Sequence, residues 1–206
     1  MKKEGEIYST LQHSFTMSSQ TAGHSQALIF RLATPEDSVQ LTALINTSFR
    51  NDPTTDVFLS ASHEGIDVTS LRQVQEAISD PDKAIILAVL PDSQQIVGHC
   101  SVRLLQDKTP KTAWFGLLAV DISSQGKGVG SRVLESAERY AKNELGASRM
   151  EFDVVWTRKS LIDWYKARGY SEAGEKRDFP YDHHPGWKGV LRDDLGFLLL
   201  GKELQG

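Results

Sequence analysis

Three glycines fall within five residues in the stretch SSQGKGVGSRVL, residues 123–134, where an apolar strand-like run gives way to an amphipathic segment. Gly126, Gly128 and Gly130 follow Gln125 in the pattern Q-x-x-G-x-G. Glycine tolerates φ > 0 and lets another group come close to the backbone. Successive amides that curl at the start of a helix gather around an anion, and the positive end of the helix adds its partial charge. The amides of Gln125, Gly126, Lys127, Gly128, Val129, Gly130 and Ser131 therefore form a candidate cradle for a diphosphate presented from outside a sheet. The alternative is a tight strand-to-helix turn in which glycine only relieves strain. Two better-known phosphate motifs do not fit. A G-x-x-x-x-G-K-[ST] loop fails because Lys127 stands between the glycines, and a G-x-G-x-x-G fingerprint fails because residue 131 is serine.

The elements that would hold this turn can be traced along the chain. Residues 27–34 (ALIFRLAT) predict a strand, and 34–49 a helix with Thr34 as N-cap, Pro35 at its first position and acids in its first turn. A polar stretch leads to a second helix over 69–79. Strands are expected at KAIILAVL (83–90) and QIVGHCSVRLL (95–105), parted by the turn signal PDSQ, and at TAWFGLLAVD (112–121), which feeds the glycines. The following helix carries Val129, Val133, Leu134, Ala137, Tyr140, Ala141 and Leu145 at helical spacing, with Gly146 as C-cap. Strand 149–156 alternates Met150, Phe152 and Val154 against Glu151, Asp153 and Val155. A short helix from Lys159 ends at Gly169; a polar loop and a terminal strand, 195–204, complete the chain. This order predicts a mixed α/β sheet with helices on both faces in a single domain, residues 27–206, preceded by a disordered leader over 1–26 in which Met17 offers a second start.

Composition excludes several function classes. The 206 residues are 39% hydrophobic and 24% charged, enough for one sizeable core, and the net charge of −4 leaves no nucleic-acid or membrane footprint. A mildly acidic chain leans weakly toward cationic small molecules or peptides. The single cysteine, Cys100, precludes an internal disulfide and points to a reducing, cytoplasmic setting; its alternation with Ile96 and Val102 predicts a buried, inert thiol. The segment DFPYDHHPGW suggests Asp182, His183 and His184 as metal ligands, but neighbouring histidines do not converge readily on one ion, and no metal site is expected.

A second motif changes the weight of the first. Some thirty-five residues after the glycines comes Y-x-x-x-G-[FY], as Tyr165, Lys166, Ala167, Arg168, Gly169 and Tyr170. With Gln125, Gly128 and Gly130 at the start of a long helix, the chain from about residue 28 to 204 resembles the GCN5-related N-acetyltransferase (GNAT) family, in particular a microbial branch of it. The resemblance implies a GNAT-like acyl-CoA N-acyltransferase fold, acetyl-coenzyme A as cofactor, and a small-molecule or peptide amine as acceptor. In that fold the strand before the turn and the strand after the helix splay apart. Backbone groups of Leu118, Ala119 and Val120 would then line a slot for the pantetheine arm, with the Leu118 amide facing the thioester oxygen. Tyr165 becomes the candidate general acid, a phenol protonated at neutral pH. Arg158 stands where many members carry Asn, which puts in question any cofactor contact at that position. Dimerisation is common for such folds.

The general base stays open among His99, Glu151, Asp153 and Asp121. Glu151 and Asp153 are preferred because they flank the slot on the polar side of their strand, whereas His99, alternating with Ser101 and Arg103, is expected to face solvent. The loops 50–65 and 178–187, the latter with Phe179, Tyr181 and Trp187, are expected to wall the acceptor pocket. A non-catalytic acyl-coenzyme A binding module remains the alternative.

Overall fold

The computed structural model describes residues 17–19, 27–50, 68–174, 176–179 and 194–204. Its strands β1 (Met17–Ser19), β2 (Leu28–Leu32), β3 (Ala84–Val89), β4 (Ile96–Leu105), β5 (Thr112–Val120), β6 (Arg149–Val155), β7 (Ser171–Glu172), β8 (Arg177–Asp178) and β9 (Gly196–Glu203) form one sheet. The order is β1-β2-β3-β4-β5-β6-β9-β7, with β8 also paired to β9. The β5–β6 pair is parallel and the others are antiparallel. A parallel pair needs a crossover, and the helix α3 (Val129–Asn143) supplies it; α1 (Ser38–Arg50), α2 (Leu71–Ser79) and α4 (Lys159–Lys166) complete the helices described.

Both faces of the sheet are covered. Val133, Leu134 and Ala137 of α3, with Ile162 and Tyr165 of α4, bury one face against Cys100, Phe115, Met150 and Phe152. Leu41, Leu44 and Ile45 of α1 and Val74 of α2 bury the other against Ile85, Leu87 and Val89. Strand β3 is sandwiched between the two layers, which is why its sequence AIILAV is apolar throughout. Each buried leucine or isoleucine of these layers contributes about 1.5–3 kcal/mol.

Most element boundaries match the expectation to within a few residues, and the differences have local causes. The first helix opens as a 3-10 turn at Pro35–Asp37 before α1 begins at Ser38. There the Asp37 carboxylate accepts from the Thr34 amide at 2.8 Å and pairs with Arg31 at 2.6 Å, tightening the first turn. Strands β7 and β8, where a loop was expected, are two exposed residues each and are held by backbone pairing to β9, which leaves no side-chain alternation to detect. Of the segment expected to be a leader, residues 17–19 pair antiparallel with 28–30. The strict in–out alternation of β6 fails, because Glu151 and Val155 are buried as well.

His99 reverses its expectation. It is 1% exposed, on the strand β4 that α1 packs against. That cover thins along the strand: Ser101 is half-buried and Arg103 exposed.

Two irregularities of β5 open the sheet at its centre. The strand pairs with β6 only through Thr112–Trp114 and Arg149–Glu151, so the two strands part beyond Trp114. Its register with β4 also shifts between His99 and Ser101, beside Leu117, whose φ of 50° is left-handed. An extra residue in one strand of a pair produces such a bulge and re-aims its neighbours.

Candidate functional site

Where β5 leaves β6, its unpaired edge faces a gap. The Asp121 amide donates to the Val97 carbonyl at 2.9 Å, so by antiparallel alternation the backbone groups of Val120 point away from β4 and into the gap. The Val120 carbonyl accepts from Ser48 Oγ of α1 at 3.0 Å and from Gln125 Nε2 at 3.3 Å. The bulge at Leu117 sets Leu118 beside the same gap.

The chain turns from β5 into α3 in three steps. Asp121 caps a 3-10 turn, Ile122–Ser124, by accepting from the Ser123 amide at 3.0 Å. Gln125 closes it, its amide donating to the Ile122 carbonyl at 3.2 Å. Gly126 and Gly128 then take φ of 73° and 79°, a region costing an L side chain about 1–2 kcal/mol. The N-cap of α3 is Gly128, and the first amides of a helix have no partner within it. Gly130 differs from its neighbours: a Cβ there would stand 3.6 Å from Val120 and 3.7 Å from Trp164, in ordinary contact. Gln125 shapes the turn, its main-chain amide donating to the Ile122 carbonyl and its side-chain amide to the Val120 carbonyl, and the Lys127 side chain is exposed and does not line the cavity.

A cavity of about 530 Å³ joins these parts. Leu118, Ala119 and Val120 form one wall; Gly126, Gly128, Val129, Gly130 and Ser131 form its end; Arg158, Leu161, Trp164 and Tyr165 form the other wall. The cofactor-binding residues expected from the sequence, Lys127 apart, thus surround one space. Ser48, Phe49, Ser160 and Arg168 also line it and were not anticipated. Arg168 lies over the Trp164 ring at 3.8 Å and donates to the Trp164 carbonyl at 2.7 Å. Its Nε and Nη2 donate to Ser131 Oγ at 3.2 and 2.7 Å. With both lone pairs of that hydroxyl engaged, its proton is left to donate elsewhere. The Trp164–Arg168 spacing of i, i+4 was the available signal; the partner 37 residues away was not.

Tyr165 lines the cavity between Trp164 and Arg168 in the chain. It is 4% exposed, with its ring 4.3 Å from Phe152 and 4.8 Å from Trp164. Burial pushes its phenol well above the usual range, and the charges of Arg158 and Arg168 only partly oppose this. It is a protonated donor through neutral pH.

Beyond Leu118 and Tyr165 opens a second cavity of about 220 Å³, which shares Phe49, Leu118, Arg158, Leu161 and Tyr165 with the first. Asp153 lines it. Burial raises the Asp153 carboxyl above its ordinary value, opposed by its ion pair with Arg177 of β8. The other base candidates are placed elsewhere. Glu151 lies opposite Trp114 in the paired part of β6 and accepts from Arg149 Nε at 2.7 Å. Asp121 is spent on its turn. His99 is sealed in the core with neither ring nitrogen hydrogen-bonded to the described residues, and burial lowers its pKa to about 4. Cys100 is buried, its thiol pushed far up by the same cause.

The loop 51–65, and Tyr181, Asp182, His183, His184 and Trp187, lie outside the described residues. Phe179 is packed with Val155 and Leu195 and stacks on Phe197 at 5.2 Å, so it supports the wall from behind. Among the described residues no group of three His, Cys, Asp or Glu could hold a metal ion, and no helix is long and apolar enough to cross a membrane.

Comparison with known proteins bears on this arrangement. The sequence model described as the acetyltransferase (GNAT) family matches residues 46–170, from within α1 to Tyr170. Among solved structures, an acetyltransferase of the GNAT family from Streptococcus pneumoniae superposes with a TM-score of 0.58 at 19% identity, over 86% of this chain and 99% of the other. A ribosomal-protein-alanine N-acetyltransferase from Brucella melitensis gives 0.60 at 17% identity, over 84% and 98%. The ribosomal-protein-S18-alanine N-acetyltransferase from Escherichia coli gives 0.60 at 14%, over 86% and 94%. At these identities the likeness is one of fold. No curated protein matches by sequence.

Proposed function

Since the chain belongs to the acetyltransferase (GNAT) family, whose members draw on acetyl-coenzyme A, we propose that it moves an acetyl group from acetyl-coenzyme A to a primary amine by direct attack within a ternary complex. The observation that carries this reading is the continuity of the 530 Å³ cavity, from the left-handed glycines through the strand gap to the buried Tyr165. The residues fit the cofactor: a helix N-terminus with positive-φ glycines suits a diphosphate, and an unpaired strand edge suits the amide-bearing pantetheine arm. When bound, acetyl-coenzyme A supplies an acetyl thioester whose C–S bond is exchanged for a C–N bond.

The roles of the chain's own groups follow from their positions. The amides from Gly126 to Ser131 hold the diphosphate, and the Ser131 hydroxyl, turned outward by Arg168, donates beside them. Backbone groups of Leu118 and the Val120 amide, whose carbonyl is already taken by Ser48 and Gln125, align the arm as an added strand. The Leu118 amide donates to the carbonyl oxygen where negative charge develops, a contribution that strengthens in a site closed to water. Asp153 takes the proton from the attacking amine, directly or through water, and Tyr165 protonates the departing sulfur. Arg158, lining both cavities, sets the field around the phenol.

Titration calorimetry with acetyl-coenzyme A, followed by thiol release over a broad amine panel, tests the reading. Saturable binding and turnover of at least one amine are expected. Absence of both would remove it, and binding without turnover would favour a non-catalytic acyl-coenzyme A binding module.

A further inference from the structure

We infer that the amine acceptor is a compact apolar primary amine seated in the 220 Å³ cavity beyond Leu118 and Tyr165. This deepens the transferase reading above and rests on it. The cavity shares Leu118 and Tyr165 with the larger one, so its occupant meets the groups assigned to the reacting thioester. Its volume is below the roughly 300 Å³ at which pockets for drug-sized ligands begin. Its walls are aromatic and aliphatic: Phe115, Leu117, Val155, Leu161 and Phe197. The ionisable side chains among the described lining, apart from Tyr165, are Asp153 and Arg158, and the Asp153 carboxylate is already paired with Arg177.

That chemistry selects among amines. An aminosugar would bring several hydroxyls against described walls that are mostly apolar, and an unpaired buried hydroxyl is costly. A polyamine would bring further ammonium groups, which burial disfavours unless each meets a carboxylate. An apolar amine requires one proton acceptor, and Asp153 is that group. The same apolar walls favour the uncharged, nucleophilic form of the amine over its ammonium. As the nitrogen bonds to the acetyl carbon, the C–S bond breaks, the amine proton passes to Asp153 and Tyr165 gives a proton to sulfur. Asp153 then loses its proton to solvent and Tyr165 regains one, which restores the site.

The test compares 2-phenylethylamine and isoamylamine with spermidine, glucosamine and an alanine-initiated hexapeptide. It measures kcat/KM by thiol release, and binding by calorimetry on protein saturated with coenzyme A. The apolar amines should exceed the others at least tenfold in kcat/KM, and 2-phenylethylamine should bind saturably. Leu117→Asp supplies an independent arm. Leu117 is 51% exposed and left-handed, a conformation that Asp tolerates, so the variant adds a carboxylate to the wall without disturbing the core. It should lower kcat/KM for 2-phenylethylamine and raise it for spermidine. Equal rates across the panel, or a wild-type preference for spermidine, glucosamine or the peptide, would overturn the inference while leaving the transferase reading intact. Saturable binding of 2-phenylethylamine with turnover of no amine would do the reverse.

Discussion

At the scale of single residues, the proposed mechanism separates groups that position from groups that react. The acid role proposed for Tyr165 rests on burial, which keeps the phenol protonated, and on its lining both cavities. Tyr165→Phe preserves the ring packing, so affinity for coenzyme A should stay within about twofold while kcat falls about 10²–10⁴-fold, the usual range for losing an acid. Steady-state rates beside calorimetry check the split. Arg168 acts at one remove, through two hydrogen bonds to Ser131. Arg168→Met should weaken coenzyme A binding about tenfold and leave the phosphate-free analogue pantetheine unaffected. If Arg168 works through Ser131, Arg168→Met combined with Ser131→Ala should cost little more than the larger single change. Equal losses for both ligands would mean that Arg168 only supports α4.

At the scale of elements, the proposed binding mode joins the glycine turn and the strand gap. α3 begins at a left-handed Gly128, which would present the first amides of the helix to a diphosphate, and β5 outruns its pairing with β6, which would leave the pantetheine arm an edge to pair with. Gly128→Ala probes the first half. A Cβ meets nothing within 4 Å there, so the substitution tests backbone conformation alone. It should destabilise the fold by about 1 kcal/mol and weaken coenzyme A more than pantetheine, as read by urea unfolding and calorimetry. Gly130→Ala makes the contrast: its added Cβ would make only ordinary contacts, so stability should stay nearly unchanged.

At the scale of the whole molecule, the two-layer cover of the sheet creates a pH liability. His99 lies beneath α1 with no hydrogen-bond partner on either nitrogen among the described residues, and its pKa is lowered from 6.5 to about 4. Below pH 6.5 the unfolded chain takes up a proton that the folded chain refuses until about pH 4. Stability from this residue is therefore complete above pH 6.5, lost as the pH falls toward 4, and constant below; the span amounts to about 3 kcal/mol. His99→Leu should remain folded and flatten that part of the profile. Urea midpoints of both proteins at pH 7, 5.5 and 4 measure the difference, and parallel profiles would mean that His99 titrates normally.

The sequence alone determined the local decisions: where helices start, which turn needs left-handed glycine, and that two short motifs belong together. Those are set by backbone sterics and capping over a few residues, so they are written in neighbouring letters. Tertiary structure decided which groups meet. Asp153 reaches the second cavity and Glu151 does not because β5–β6 pairing stops between them, and His99 is buried on a strand that a distant helix packs against. Arg168 finds Ser131 only when the residues after α4 are brought beside the start of α3. Pairing limits and helix cover arise from contacts among residues far apart in the chain, and no spacing rule in one sequence encodes them.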